Sequence, residues 1–265
     1  MPASKGLDRE TLRILMIGDV VGRPGRRSVK ALLPGLCEGR SIDLVVANGE
    51  NAAGGFGLTE DTVADLLGSG VDVITTGNHV WDKKEIIPLL ESDLPILRPM
   101  NYPEGVPGRG YIMVKSAMVV NLMGRVFMST LPCPFRGMDA FLDGLGPEKP
   151  PFILVDFHAE ATSEKQALGW YLDGRVSAVV GTHTHVPTAD ARILPNGTAY
   201  VTDLGMTGPY NSIIGNTPQD VLERFLKQMP YHLTVAGGPA TFNSVLVELD
   251  EQGKAKSIER IDLMA

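Results

Sequence analysis

The sequence predicts an α/β fold of two stacked mixed β-sheets flanked by helices, and three observations carry the expectation. Short apolar runs of strand length alternate with amphipathic stretches of helical length. From residue 111 onward hairpin patterns join them, which adds antiparallel pairs to parallel crossovers. The composition, 43% apolar and 21% charged, is that of a chain able to bury a core, and 265 residues fit one large domain, 1–265.

Taken in order, Ile14 to Ile17, Leu44 to Ala47, Val71 to Thr75, Phe152 to Val155 and Ala178 to Val180 read as buried strands, each a short apolar run. Arg26 to Cys37, Thr59 to Leu67, Asp82 to Leu90 and Ser163 to Leu172 have helical length, with Thr59 and Ser163 placed as N-caps. Tyr111 to Val114 and Met118 to Leu122 flank a turn at Lys115-Ser116-Ala117, and Ala191 to Leu194 meets Ala199 to Thr202 across Pro195-Asn196-Gly197. Thr241 to Asp250 and Ala255 to Asp262 form a closing pair. Two stretches dense in Gly, Pro and Asn, Arg98 to Gly110 and Leu204 to Pro218, read as loops: a lid, an oligomer contact, or plain connections.

With 24 Lys+Arg against 31 Asp+Glu the net charge is −7, which argues against a broad basic face for duplex nucleic acid or an anionic membrane. Any phosphate-bearing ligand must be held locally. Cys37 and Cys133 stand far apart, so neither a disulfide framework nor a thiolate zinc site is expected, and the compartment reads as reducing. Met1 to Arg13 lacks an apolar leader, and no run approaches the roughly 18 apolar residues of a membrane span, so the expected location is cytoplasmic. Self-association into a homo-oligomer is the default for such a chain.

In a sheet flanked by helices, ligands collect beyond the carboxyl ends of the strands, where loops converge and helix N-termini point. Here the strands run into Gly18-Asp19, Asn48-Gly49-Glu50-Asn51, Gly77-Asn78-His79, Asp156-Phe157-His158 and Gly181-Thr182-His183-Thr184-His185. Four of the five histidines sit at such ends, leaving His232 apart. Carboxylate, amide and imidazole donors without thiolate suit Mn, Fe or Zn. Asp19, Glu50, Asn51, Asn78, His158, His183 and His185 are more donors than one ion uses, so a two-metal site with a bridging carboxylate is the simplest expectation.

On these residues the sequence resembles the calcineurin-like metallophosphoesterase superfamily, and within it the bacterial YmdB-like 2′,3′-cyclic-nucleotide phosphodiesterases. The matching blocks are Met16-Ile17-Gly18-Asp19-Val20-Val21-Gly22, Asn48-Gly49-Glu50-Asn51-Ala52, Gly77-Asn78-His79-Val80-Trp81, Asp156-Phe157-His158-Ala159-Glu160 and Gly181-Thr182-His183-Thr184-His185. Against the wider superfamily, Val21 stands where a His is usual, Glu50-Asn51 where paired acids are usual, and Val80 where an acid usually follows the His. These replacements are the expected form of the narrower branch.

The resemblance implies that one ion is held by Asp19, Glu50, Asn51 and His185 and the other by Glu50, Asn78, His158 and His183. It implies iron or manganese as the pair of divalent or trivalent ions, with His79 unbound to metal as a proton donor. The implied reaction opens 2′,3′-cyclic nucleotides to 3′-nucleotides by in-line attack of a metal-bridging hydroxide, and phosphodiester model substrates are expected to be accepted. Tyr102, Phe135 and Tyr210 are possible stacking surfaces for a base. Phosphomonoesters or RNA ends as substrates, and a non-catalytic metal- and nucleotide-binding regulatory module, are the competing readings.

Overall fold

The strand runs of the sequence are apolar on both faces because each sheet is covered on both. The computed structural model describes residues 11–265, so the leaderless reading of the first ten residues lies outside them. Along β1 (Thr11–Ile17), Leu15 and Ile17 face a helical layer while Ile14 and Met16 face the second sheet. The same alternation divides β3 (Leu44–Asn48) and β4 (Val73–Thr75): Val45, Ala47 and Ile74 go to the helices, Leu44, Val46 and Val73 to the other sheet. Each fully buried Leu or Ile of this kind contributes about 1.5–3 kcal/mol.

The first sheet runs β2 (Asp19–Val20), β11 (Met206–Pro209), β12 (Ala240–Asp250), β1, β3, β4, with β13 (Ala255–Met264) paired to β12. The second runs β5 (Tyr111–Val114), β6 (Ala117–Met123), β7 (Phe152–His158), β8 (Ala178–Thr182), β10 (Ala199–Val201), β9 (Arg192–Ile193). Both are mixed: β1–β3–β4 and β6–β7–β8–β10 are parallel, whereas β12, β13, β5 and β9 are added antiparallel. Helices α1 (Gly22–Arg40), α2 (Glu60–Gly68) and α3 (Ile86–Glu91) cover the first sheet through Val29, Leu33, Val63, Leu66, Ile86 and Leu90. Helices α4 (Pro134–Leu145) and α5 (Thr162–Leu172) cover the second through Met138, Leu142, Leu168 and Leu172. The result is helix, sheet, sheet, helix.

Local differences from the sequence expectation have physical reasons. The first hairpin turn is two residues, Lys115 and Ser116, both left-handed (φ 48° and 72°), so Ala117 is already paired with Val114. Thr59 caps α2 through a reciprocal box with Thr62, but α5 starts one residue early and Ala161, not Ser163, is its cap position. The chain from Asp82 to Glu85 turns irregularly before α3 begins at Ile86. Strand β7 continues through Asp156-Phe157-His158 because β6 and β8 flank it to that point. The stretch Leu204 to Pro218 is not all loop: β11 lies inside it, and α6 (Pro218–Lys227) starts at its end. No helix among the described residues is long and apolar enough to cross a membrane.

Candidate metal centre

Asp19 reaches the centre because the sheet forks at Gly18. The Gly18 amide still donates to Asn243 O of β12 at 3.0 Å, but the Asp19 amide donates to Gly205 O at 3.0 Å, since β11 has entered between β2 and β12. Backbones meet so closely there that a Cβ on Gly18 would lie 2.0 Å from Gly205 O; only glycine fits. On the second strand end, the Glu50 amide donates to Asn48 Oδ1 at 3.2 Å, which turns the loop so that Glu50 and Asn51 point inward. Gly77 gives the third loop its close approach: a Cβ there would be 2.2 Å from His158 Cδ2 and 2.4 Å from Glu50 Oε2.

The last loop carries backbone strain. His183 and His185 have φ of 102° and 65°, a region that costs a non-glycine residue about 1–3 kcal/mol. Thr184 between them is tied down by Asp203, whose Oδ2 accepts from its amide at 3.2 Å and its hydroxyl at 2.8 Å. Lys165 Nζ meets the same Oδ2 at 2.6 Å, and both side chains are 1% exposed. This buried pair holds the two histidines in their left-handed turns.

The seven predicted donors form one connected group with Glu50 at the join. On one side, Glu50 Oε1 accepts from Asn51 Nδ2 at 3.3 Å, Asn51 Nδ2 is 3.1 Å from His185 Nε2, and His185 Nε2 is 3.8 Å from Asp19 Oδ1. On the other, His158 Nε2 lies 2.9 Å from Glu50 Oε1, 3.0 Å from Asn78 Oδ1 and 3.0 Å from His183 Nδ1. Donor atoms of Glu50, His158 and His183 all fall within 4.8 Å of one another, close enough to share an ion.

Each of these histidines has its outward nitrogen engaged by an oxygen. Thr182 Oγ1 donates to Asp156 Oδ1 at 2.7 Å, so its oxygen accepts His158 Nδ1–H at 3.0 Å and leaves Nε2 facing Glu50. His185 Nδ1 donates to Ile214 O at 2.8 Å, and His183 Nε2 lies 3.1 Å from Glu160 Oε2. This is how metal-binding imidazoles are oriented and their tautomers fixed. His79 stands beside the group, its amide donating to Glu50 Oε2 at 3.1 Å and its Nδ1 meeting Asp82 Oδ2 at 2.8 Å. The edge of Phe56 packs on it, with centroids 5.0 Å apart.

Electrostatics fit the same picture. Burial pushes the Asp19 carboxyl up to about 6, against the pull of His185 and His158, and its Oδ1 has no hydrogen-bond partner among the described residues. Burial would also raise Glu50, but the charge and hydrogen bond of His158 outweigh it and hold Glu50 low; His158 is raised in return despite its own burial. Burial, then the charge of His158, drives His183 down to about 3, so that its imidazole is neutral near pH 7. A buried carboxylate oxygen lacking a donor, beside neutral imidazole and a Cβ-free wall at Gly77, fits a cation.

Sequence reasoning brought together all eight named residues but missed their supports. Asp82 was legible as an acid three residues after His79. Asp156 lay in a matching block, yet its role, receiving Thr182, Asn48 (3.2 Å) and Thr75, needs three strands in register. Lys165 and Asp203 carried no local signal. Of the aromatic candidates, Tyr102 packs against Trp81 and Phe135 against Tyr171, at 5.5 and 5.3 Å. His232 is exposed.

Two mixed sheets between helices, with acid, amide and imidazole donors gathered at the strand ends, make this a metallophosphoesterase-type fold, which implies divalent metal ions. The chain belongs to the YmdB-like proteins, whose family model matches residues 15–261. It is 51% identical over 255 residues to the 2′,3′-cyclic-nucleotide 2′-phosphodiesterase of Bacillus subtilis (strain 168), covering 94% of this chain and 96% of that one. A protein of Thermus thermophilus known from its crystal structure superposes with TM-score 0.90 at 48% identity, covering 96% and 99% of the two chains. A Mycoplasma pneumoniae phosphatase also superposes at 0.90, with 33% identity and coverage of 96% and 94%.

Proposed function

We propose that the chain is a two-metal phosphodiesterase that opens 2′,3′-cyclic nucleotides to 3′-nucleotides. The observation that carries this reading is the orientation of the imidazoles: His158, His183 and His185 are each held at the outer nitrogen, and the free nitrogens face Glu50, Asn51 and Asp19. Asp19, Glu50, Asn51 and His185 would hold one ion, and Glu50, Asn78, His158 and His183 the other. Oxygen and nitrogen donors of this mix suit iron or manganese. Bound there, two such ions supply an acidified water as nucleophile and offset the charge of the phosphate.

The chain's own groups do the rest. Asp82 accepts the Nδ1–H of His79, which leaves Nε2 to deliver a proton to the departing 2′ oxygen as the P–O2′ bond breaks. The Glu50 carboxylate fixes the His79 backbone, so the proton donor and the shared ligand move as one unit. The relative's activity on cyclic nucleotides and its identity across nearly the whole chain support this substrate class.

The test is elemental analysis of anaerobically purified protein together with turnover of 2′,3′-cyclic AMP, bis(p-nitrophenyl) phosphate and p-nitrophenyl phosphate. The reading expects two metals per chain, 3′-AMP as product, and diesters preferred over the monoester. Preference for the monoester, or stoichiometric nucleotide binding without turnover in metal-loaded protein, would sink it.

A further inference from the structure

A cavity of about 390 Å³ opens beside His185, bounded also by Pro187, Met206, Tyr210, Asn243 and Met264. It lies at the same end of the first sheet as the strand ends that carry the donors, because β12 runs antiparallel to β1 and its early residues are level with the end of β1 (Ile17 opposite Ser244). The walls are of two kinds. Tyr210, Met206, Met264 and Pro187 are broad apolar or polarisable surfaces. Asn243 forms a polar edge together with Asp262, to which its Nδ2 donates at 2.8 Å and which Arg260 clamps through Nε at 2.9 Å.

Taking the phosphodiesterase reading as its basis, we infer that this cavity receives the nucleoside base of the substrate while the cyclic phosphate sits at the donor cluster. A base is a flat apolar slab with a hydrogen-bonding rim. A ring face (Tyr210) and two thioethers (Met206, Met264) match the slab. The Asn243 and Asp262 oxygens, held in place by their own partners, match the rim. The volume is within the range of small-ligand pockets, roughly 300–1,000 Å³. His185 belongs to both the cavity wall and the donor cluster, so a ligand filling the first has its phosphate end at the second. Of the three aromatic side chains expected to offer stacking surfaces, Tyr102 and Phe135 are engaged by other rings, whereas Tyr210 lines this cavity and is 59% exposed.

The experiment compares kcat/KM for 2′,3′-cyclic AMP with that for methyl p-nitrophenyl phosphate, a diester without a base, in metal-loaded wild type, Tyr210→Ala and Met264→Trp. Both substituted positions are more than half exposed, so neither change opens the core. One variant removes the stacking face and the other fills the cavity from its rim. The expected result is a fall in the ratio of the two kcat/KM values of roughly 5- to 100-fold in each variant, carried mainly by KM for the cyclic nucleotide. An unchanged ratio, whether both substrates hold or both fall together, overturns the inference while leaving the phosphodiesterase reading intact. If the wild type turns over the base-free diester but not cyclic AMP, the nucleotide reading itself fails and this inference with it.

Discussion

Gly77→Ala is the substitution whose effect the geometry sets most tightly. Its methyl would lie 2.2 Å from His158 Cδ2, 2.3 Å from His158 Nε2 and 2.4 Å from Glu50 Oε2, where ordinary contact begins at 3.4 Å. The ring and the carboxylate must therefore retreat by about 1 Å, and a displacement of that size costs on the order of 10²-fold in rate when reacting groups must be aligned. Neither side chain can move away freely. Both are within 1% of full burial, His158 is tethered to Thr182 and Glu50 to the His79 amide. The assay is kcat on bis(p-nitrophenyl) phosphate together with metal content per chain. Gly35→Ala serves as the matched control: nothing lies within 4 Å of its Cβ position, it sits on the exposed side of α1, and it should gain about 0.4–1 kcal/mol of stability. A Gly77→Ala protein that keeps the wild-type metal content and a kcat within about threefold of wild type would refute the reasoning.

Three further outcomes are expected. His79→Asn should lower kcat on 2′,3′-cyclic AMP by roughly 10²–10⁴-fold with metals retained, and much less on p-nitrophenyl esters, whose leaving group needs no proton; equal losses on both would exclude a proton-donor role. Lys165→Met leaves Asp203 buried and uncompensated, at a cost of about 3–5 kcal/mol; a Tm close to wild type in thermal melts would contradict this. Stability of chelator-treated protein should decline from about pH 6.5 to pH 9. Asp19, raised by burial from 3.8 to about 6, and His158, raised from 6.5 to about 9 by Glu50 against its burial, both bind protons more tightly when folded. The His158 contribution is complete below 6.5 and lost as pH climbs through 9, while the Asp19 penalty is absent below 3.8 and complete above 6. Glu50 and His183, being lowered, work in the opposite sense only below their ordinary 4.5 and 6.5, so the net decline opens near pH 6.5. Melting curves that are flat or rise over that range would contradict the assignment.

What could be read from the chain was whatever depends on short segments. The apolar runs gave β1, β3, β4 and β8, and the polar residues that follow these strands gave Asp19, Glu50, Asn51, Asn78, His183 and His185 as candidate donors, because the segments leaving parallel strands emerge together at one end of the sheets. Asp156 and His158 were harder: they stay inside β7, and polar side chains in a strand interior are tolerated only because Thr75, Asn48 and Thr182 arrive from other strands. β11 was illegible for a related reason. Met206–Pro209 has no strand composition of its own and is extended because Asp19–Val20 and Ala240–Thr241 offer it partners on either side. α6 did carry a signal that the sequence reading passed over, with Thr217 at the cap position, Pro218 at the first position, Asp220 in the first turn and an apolar stripe of Val221, Leu222, Phe225 and Leu226, of which only Val221 is buried.

The fork at Gly18 has a temporal side. Asp19 is translated long before the residues that fix it: the carbonyl that holds its backbone belongs to Gly205 and the neighbouring edge to Asn243. A nascent chain emerging from the ribosome therefore cannot complete the candidate donor cluster until Gly205 and Asn243 have been translated, however early the strand that leads to Asp19 has formed.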